Sequence, residues 1–302
     1  MSAARFALLP DRGLVRVSGP EATHFLQNLL TRDVEGLTAG EAAFAALLTP
    51  QGKILFDFLV LKDADGFLLD TPASQVAALV KRLGFYRLRA KVTLEDCTAT
   101  HEVAVVFGGA LPAMPLAPDV LAATDPRLAE LGLRVAGPKG LAGILEGLGL
   151  QAAEPADWHA HRIGLGVPEA ESDFAYGEIF PHDADMDQLN GVSFRKGCYV
   201  GQEIVSRMEH RSTARKRFVM VEAAEALPAM GSPVLAGEQE VGTLGSSSGG
   251  RGLALLRLDK VKAALDKGVQ LTAAGTALDV TLPGWARFTW PESGSGAGTD
   301  SA

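Results

Sequence analysis

Apolar residues recur along this chain with two periods, and the switches between them lay out its elements. Two apolar runs, 42–48 and 54–61, flank Thr49-Pro50-Gln51-Gly52-Lys53, and runs of that length divided by Pro and Gly predict a pair of strands joined by a turn. In the second run Ile54, Phe56, Phe58 and Val60 share one face while Leu55, Asp57 and Leu59 share the other, so Asp57 interrupts an apolar face. An acid in that position sits at a sheet edge or faces solvent, or else it does chemistry. Residues 5–17 alternate as a strand or hairpin with Gly13 at its turn. Ala22, Phe25, Leu26, Leu29 and Leu30 then repeat at helical spacing behind Ser18 and Pro20, a helix start. Further on, the pattern predicts helices over 73–83, 139–148 and 154–164, strands over 92–95, 102–107 and 131–135, and a loop or spacer over 108–125.

Residues 166–187 are irregular and rich in acids, Gly and Pro, and a loop this long inside a compact domain is more often functional than idle. From Phe218 onward six short apolar runs are punctuated by Gly and Pro, with a helix at 259–265 among them. They predict a small antiparallel barrel or sandwich. Residues 291–302 hold too little apolar surface to order themselves and are expected to be a disordered tail.

Composition narrows the function. At 302 residues with 47% hydrophobic and 21% charged positions, the chain is expected to be globular and to contain more than one domain. A net charge of −8 argues against broad nucleic-acid binding, which requires a cationic surface. Basic residues do cluster locally. Lys81, Arg82, Arg87, Arg89 and Lys91 have no acid among them, and between Arg195 and Arg217 seven Lys or Arg stand against two Glu. Such bands are solvated faces, or they steer an anionic ligand. Cys97 and Cys198 are the two cysteines, a count that suits a reducing compartment. No apolar run approaches the roughly 20 residues that span a bilayer, and the expectation is a cytoplasmic protein with no membrane partner. His159 and His161 would diverge on a helix, so no metal is expected there.

Cys198 is the cysteine whose neighbours suggest chemistry. Lys196 and Gly197 precede it, Tyr199, Val200 and Gly201 follow, and Gln202-Glu203 opens a helix with Glu203 at the positive end of its dipole. A nearby cation lowers a thiol's pKa and makes it a nucleophile or metal ligand. A structural cysteine in a tight turn fits the same residues.

The octapeptide Lys196-Gly197-Cys198-Tyr199-Val200-Gly201-Gln202-Glu203 resembles the K-G-C-Y/F-x-G-Q-E motif of the YgfZ family, folate-binding proteins linked to iron–sulfur cluster assembly and tRNA modification. That family is similar in fold to the glycine cleavage system T-protein, a tetrahydrofolate-dependent aminomethyltransferase. Thr31-Arg32-Asp33-Val34, Thr49-Pro50-Gln51-Gly52-Lys53, Arg162-Ile163-Gly164 and Phe180-Pro181-His182-Asp183 extend the resemblance over residues 5 to 290. It implies an α+β, three-domain fold: two mixed α/β domains with antiparallel sheets, and a C-terminal β-barrel. The folate-binding region would be 1–212, in two interleaved subdomains (1–48 with 150–212, and 49–149), followed by the barrel at 213–290 and the tail at 291–302.

The function implied is that of a tetrahydrofolate-binding accessory protein in cluster assembly or repair. Asp187, Asn190, Lys196, Tyr199, Gln202, Glu203 and Arg207 would surround the folate or a derivative of it, and Lys196 would activate Cys198. One cysteine cannot hold a cluster alone, because such sites take four ligands. Cys198 would therefore contribute transiently to a cluster shared with a client or assembly protein. Direct tRNA binding is not expected, and any effect on tRNA modification would be indirect. The alternative is a tetrahydrofolate-dependent one-carbon transferase with Asp57 as general base. The T-protein relatives carry paired acids in a comparable strand, where this chain has Phe56-Asp57.

Overall fold

The computed structural model describes residues 3–110, 119–211 and 215–291. Ten strands form two five-stranded sheets: β1 (Arg5–Leu8), β2 (Arg12–Ser18), β3 (Ala42–Leu48), β4 (Ile54–Lys62), β5 (Gly66–Pro72), β6 (Thr93–Asp96), β7 (His101–Phe107), β8 (Leu121–Thr124), β9 (Leu133–Pro138) and β10 (Gln151–Ala152). Their orders are β3-β4-β5-β2-β6 and β10-β1-β7-β9-β8. Every neighbouring pair is antiparallel except β1 with β10.

Period-two alternation assigns each face. On β3, Phe44, Ala46 and Leu48 join one core while Ala43, Ala45 and Leu47 join another, and β4 divides Leu59 and Leu61 from Phe56, Phe58 and Val60 in the same way. In the second sheet Val103, Val105 and Phe107 share the first core, whereas Ala104 and Val106 belong to a third. The first core is thus the layer between the two sheets. The outer face of the first sheet is covered by α1 (Ala22–Gln27) and α2 (Val76–Arg87), that of the second by α3 (Leu141–Gly147). Two further helices, α4 (Pro155–Gly164) and α5 (Gln202–Arg211), bracket the long irregular segment.

Strands β11 (Lys216–Glu222), β12 (Pro233–Ala236), β13 (Gln239–Ser248), β14 (Arg251–Arg257), β15 (Leu271–Ala273) and β16 (Thr276–Thr281) close into a barrel, with α6 (Leu258–Leu265) packed on its core. The α+β architecture and the barrel are as the sequence implies. Several details differ. The expected boundary at 48/49 cuts the β3–β4 hairpin, because a tight turn pairs those strands within one sheet; the first sheet is built wholly from residues 12–96, the second from 5–8 and 101–152. The first turn lies at Pro10-Asp11 and Gly13 is inside β2, where a Cβ would meet Val76 Cγ2 at 2.6 Å. The first helix begins at Ala22 rather than Ser18. The expected disordered tail lies outside the described residues apart from Pro291, as does 111–118 of the expected spacer, which ends in β8.

Candidate functional site

Cys198 is exposed and Cys97 buried. The loop carrying Cys198 is fastened on both sides. Upstream, the Ser193 N–H donates to the Thr31 carbonyl at 2.8 Å, and the Lys196 ammonium donates to the carbonyls of Gln27 (2.5 Å), Leu30 (2.7 Å) and Arg32 (3.2 Å). These carbonyls lie at and just beyond the C-terminal end of α1, where backbone acceptors have no helical partner. Downstream, Tyr199 is buried in the inter-sheet core, and burial raises its phenol to about 12. Gly201 and Gly52 both adopt positive φ and pack backbone to backbone.

Lys196 therefore holds the cysteine loop to α1. Sequence reasoning placed its charge on the thiol; the structure places it on three carbonyls, which fill its three donors. Burial brings its pKa down to about 8, against the opposing pull of Asp33 and Glu35.

The other residues proposed around a folate take separate partners. Gln202 and Glu203 open α5, and Glu203 and Arg207 are exposed. Asn190 donates to the Pro126 carbonyl at 3.1 Å and lines a hollow of about 250 Å³ with Arg32, Asp33 and Phe44. Asp187 is buried against Arg217, whose Nη1 and Nη2 reach it at 2.5 and 3.0 Å, and it also accepts from Gln188 Nε2. Nearby, His182 Nε2 lies 3.2 Å from Glu209 Oε2. His182, Asp187 and Glu209 form the one grouping of three metal-capable side chains among the described residues; it does not include Cys198, and Asp187 already serves Arg217 and Gln188.

Between the sheets lies an ionic network that sequence reasoning missed. Arg12 Nε bonds Asp70 at 2.7 Å and Arg134 Nε lies 3.3 Å from the other Asp70 oxygen. Arg127 holds Asp125 through two bonds, and Arg162 reaches Glu169 at 3.1 Å and Asp173 at 2.9 Å. All of these side chains are buried. For Glu169, burial pushes the carboxyl up, but Arg162, Arg12 and Arg127 outweigh it and hold it at about 2. The signal was available: Arg12, Asp70 and Arg134 share strand parity with Leu14, Leu68 and Ala136, all core residues.

Asp57 joins this layer. It stands on β4, flanked by β3 and β5, so it is neither at an edge nor open to solvent as an isolated surface acid would be. Its carboxylate accepts a 2.5 Å hydrogen bond from the Tyr176 hydroxyl. Burial raises its pKa, opposed by that bond and by Arg12. Tyr176, Phe174, Glu178, Met230 and Leu244 line a cavity of about 530 Å³ between the irregular loop and the barrel.

Comparison with known proteins covers both halves of the chain. Residues 11–129 match the GCVT N-terminal domain and 215–288 the CAF17 C-terminal beta-barrel domain. The iron-sulfur cluster assembly factor IBA57, mitochondrial, of Homo sapiens is 33% identical over 315 residues, spanning 94% of this chain and 84% of that protein. The Mus musculus protein gives the same figures. A homologue from Neurospora crassa is 31% identical over 70% of this chain and 52% of its own. Among solved structures, glycine cleavage system aminomethyltransferase T from Bartonella henselae superposes with a TM-score of 0.75 at 17% identity, covering 94% of this chain and 87% of that one. It shares the fold.

Proposed function

The chain belongs to the family of iron–sulfur cluster assembly factors IBA57, and from that premise we propose that it takes part in cluster assembly or repair by offering Cys198 as one thiolate of a cluster shared with a second protein. The observation that carries this reading is the placement of Cys198: an exposed thiol on a loop anchored through Lys196, Tyr199 and Gly201. A cluster requires four ligands in most sites, and the metal-capable grouping of His182, Asp187 and Glu209 does not include this thiol. A rigid, projecting, single donor suits transfer or shared ligation and does not suit resident storage.

The same reading includes a folate, tetrahydrofolate or a derivative, bound in the 530 Å³ cavity beside Tyr176. Its size falls in the range of small-molecule sites. Phe174 and Tyr176 would flank a planar heterocycle, and Glu178 would accept from its amino group. Any influence on tRNA modification would pass through cluster-containing enzymes.

The test is anaerobic reconstitution with ferrous iron, sulfide and a low-molecular-weight dithiol supplying the missing ligands. Sulfur-to-iron charge-transfer absorption in the wild type that disappears in Cys198→Ser is the expected result. Equal absorption in the two proteins rejects Cys198 as a ligand. Asp57 favours a second reading, one-carbon transfer to or from folate, since a carboxyl whose pKa burial raises, bonded to the Tyr176 hydroxyl at the cavity wall, is placed for proton transfer. Turnover of an aminomethyl donor that survives Asp57→Asn would reject that role.

A further inference from the structure

The C-terminal part of α2 and the turn after it carry a surface that neither the cysteine loop nor the inter-sheet network uses. Val76, Leu79 and Leu83 bury the inner face of this helix, while Phe85 is 63% exposed and Leu88 88% exposed. Lys81, Arg82, Arg87, Arg89 and Lys91 surround these two side chains in sequence and are all exposed. Among the described residues none of the five is in an ion pair within 4.0 Å. Glu21, on the same corner, accepts the backbone N–H of Lys91.

Leu88 has φ 44 and ψ −106, a region that L side chains other than glycine rarely adopt and that is kept where the surroundings impose it. The fold thus holds an apolar side chain outward at the expense of backbone strain. Beside it, α1 and residues 86–90 enclose a hollow of about 440 Å³, lined by His24, Phe25, Leu29, Tyr86, Arg87 and Arg89 among others.

We propose that this corner is a docking surface for an anionic phospholipid bilayer. Phe85 and Leu88 enter the boundary between headgroups and acyl chains, the five cations meet lipid phosphates, and the hollow receives a headgroup. Charge complementarity favours this occupant: on a chain of net charge −8, cations outside any ion pair, Arg82 resting over the Phe85 ring, are gathered round two projecting apolar side chains and give an anionic surface one face to approach. Leu88, the more exposed of the two tips, offers no aromatic face on which a base could stack, and at that position this favours lipid over RNA. No helix among the described residues is long and apolar enough to cross a membrane, and contact of this kind needs none.

The experiment is co-sedimentation of the full chain with large unilamellar vesicles, either phosphatidylcholine alone or equal parts phosphatidylcholine and phosphatidylserine. Sedimentation with the anionic vesicles only, weakening as sodium chloride rises, is expected. Leu88→Gly removes the apolar tip and relieves the backbone, so its melting temperature should hold or rise while vesicle affinity falls. The Arg87→Gln, Arg89→Gln, Lys91→Gln triple variant should lose at least about tenfold in affinity, and Arg251→Gln on the barrel should lose none. No sedimentation with anionic vesicles at low salt overturns the proposal. So does binding unchanged in both corner variants. Failure on vesicles together with binding to polyuridylic acid that the triple variant abolishes would give the corner to RNA instead.

Discussion

Gly201 and Gly52 are in backbone contact: a Cβ on Gly201 would stand 3.0 Å from the Gly52 Cα and 2.6 Å from the Thr49 carbonyl oxygen. The two glycines join the turn of the β3–β4 hairpin to the cysteine loop, and both sit at φ near +80, at 80 and 81. Each is required twice over, for conformation and for space. Gly201→Ala should therefore destabilise the protein by about 2–4 kcal/mol, combining strain with overpacking against rigid backbone. Chemical denaturation measures this, and a loss below that of an ordinary surface Gly→Ala change would refute the close approach.

Lys196 gives a second prediction about the same loop. Its ammonium satisfies three carbonyls at the end of α1, so Lys196→Met should cost about 2–3 kcal/mol, the penalty of leaving several acceptors without donors. The loop should also become open to limited proteolysis near Cys198. Lys196→Arg should rescue poorly, because a planar fork cannot direct three bonds as an ammonium does. Full rescue by arginine would mean that charge alone matters.

Acid stability should follow Glu169. Its folded-state carboxyl, held at about 2 against an ordinary 4.5, contributes stability that is fully present above the ordinary value and is lost as pH falls through the window from 4.5 to 2. Asp57, Asp183 and Asp185 have the opposite sign, since burial raises each of them; their protonation in acid relieves the fold. The expected outcome is a loss of stability on acidification whose slope flattens in Glu169→Gln. An unchanged slope in that variant would assign acid unfolding to other groups.

The network also explains which parts of the site were legible beforehand. The barrel, the β3–β4 turn and the start of α5 at Gln202 were readable because each rests on local signals: Gly and Pro spacing, alternation and an acidic first turn. Asp57, Arg12, Asp70 and Arg134 were individually visible as charges on apolar strand faces, yet their partners lie far along the chain, Asp57 meeting Tyr176 and Arg134 meeting Asp70. Strand periodicity gives the face and leaves the neighbouring strand open. Lys196 was misplaced for a related reason. Proximity in sequence suggested that it serves Cys198, two residues away, but a long side chain reached a helix end from residues 22–27 instead.

Removing the central bridge should be the most disruptive change in that layer. Asp70 separates the Arg12 and Arg134 guanidinium groups and is fully buried. Asp70→Ala leaves two buried cations without their shared counter-charge, and about 3–5 kcal/mol is expected from breaking a buried pair in this way. Denaturant midpoints should report it, and the double variant Asp70→Ala with Arg134→Leu should recover part of the loss, because the second change removes one of the stranded charges. Absence of any recovery would show that the two residues are not coupled.

The accessibility of the two thiols provides the most direct check on the proposed role of Cys198. Cys198 is exposed, whereas Cys97 is 4% exposed, packs in the inter-sheet core, and has its thiol pushed up by burial, with Glu95 adding to that shift. A thiolate is the reactive species, and an inert buried thiol reacts only when the structure opens. Native protein treated with a maleimide should label one cysteine quickly, identified by mass spectrometry as Cys198, with the second appearing only in denaturant. Cys198→Ser should then show no fast phase while keeping wild-type stability, since the thiol makes no core contact. Fast labelling at Cys97 would place the opening of the inter-sheet core well below global unfolding, and slow labelling at Cys198 would remove the exposed donor on which shared cluster ligation depends.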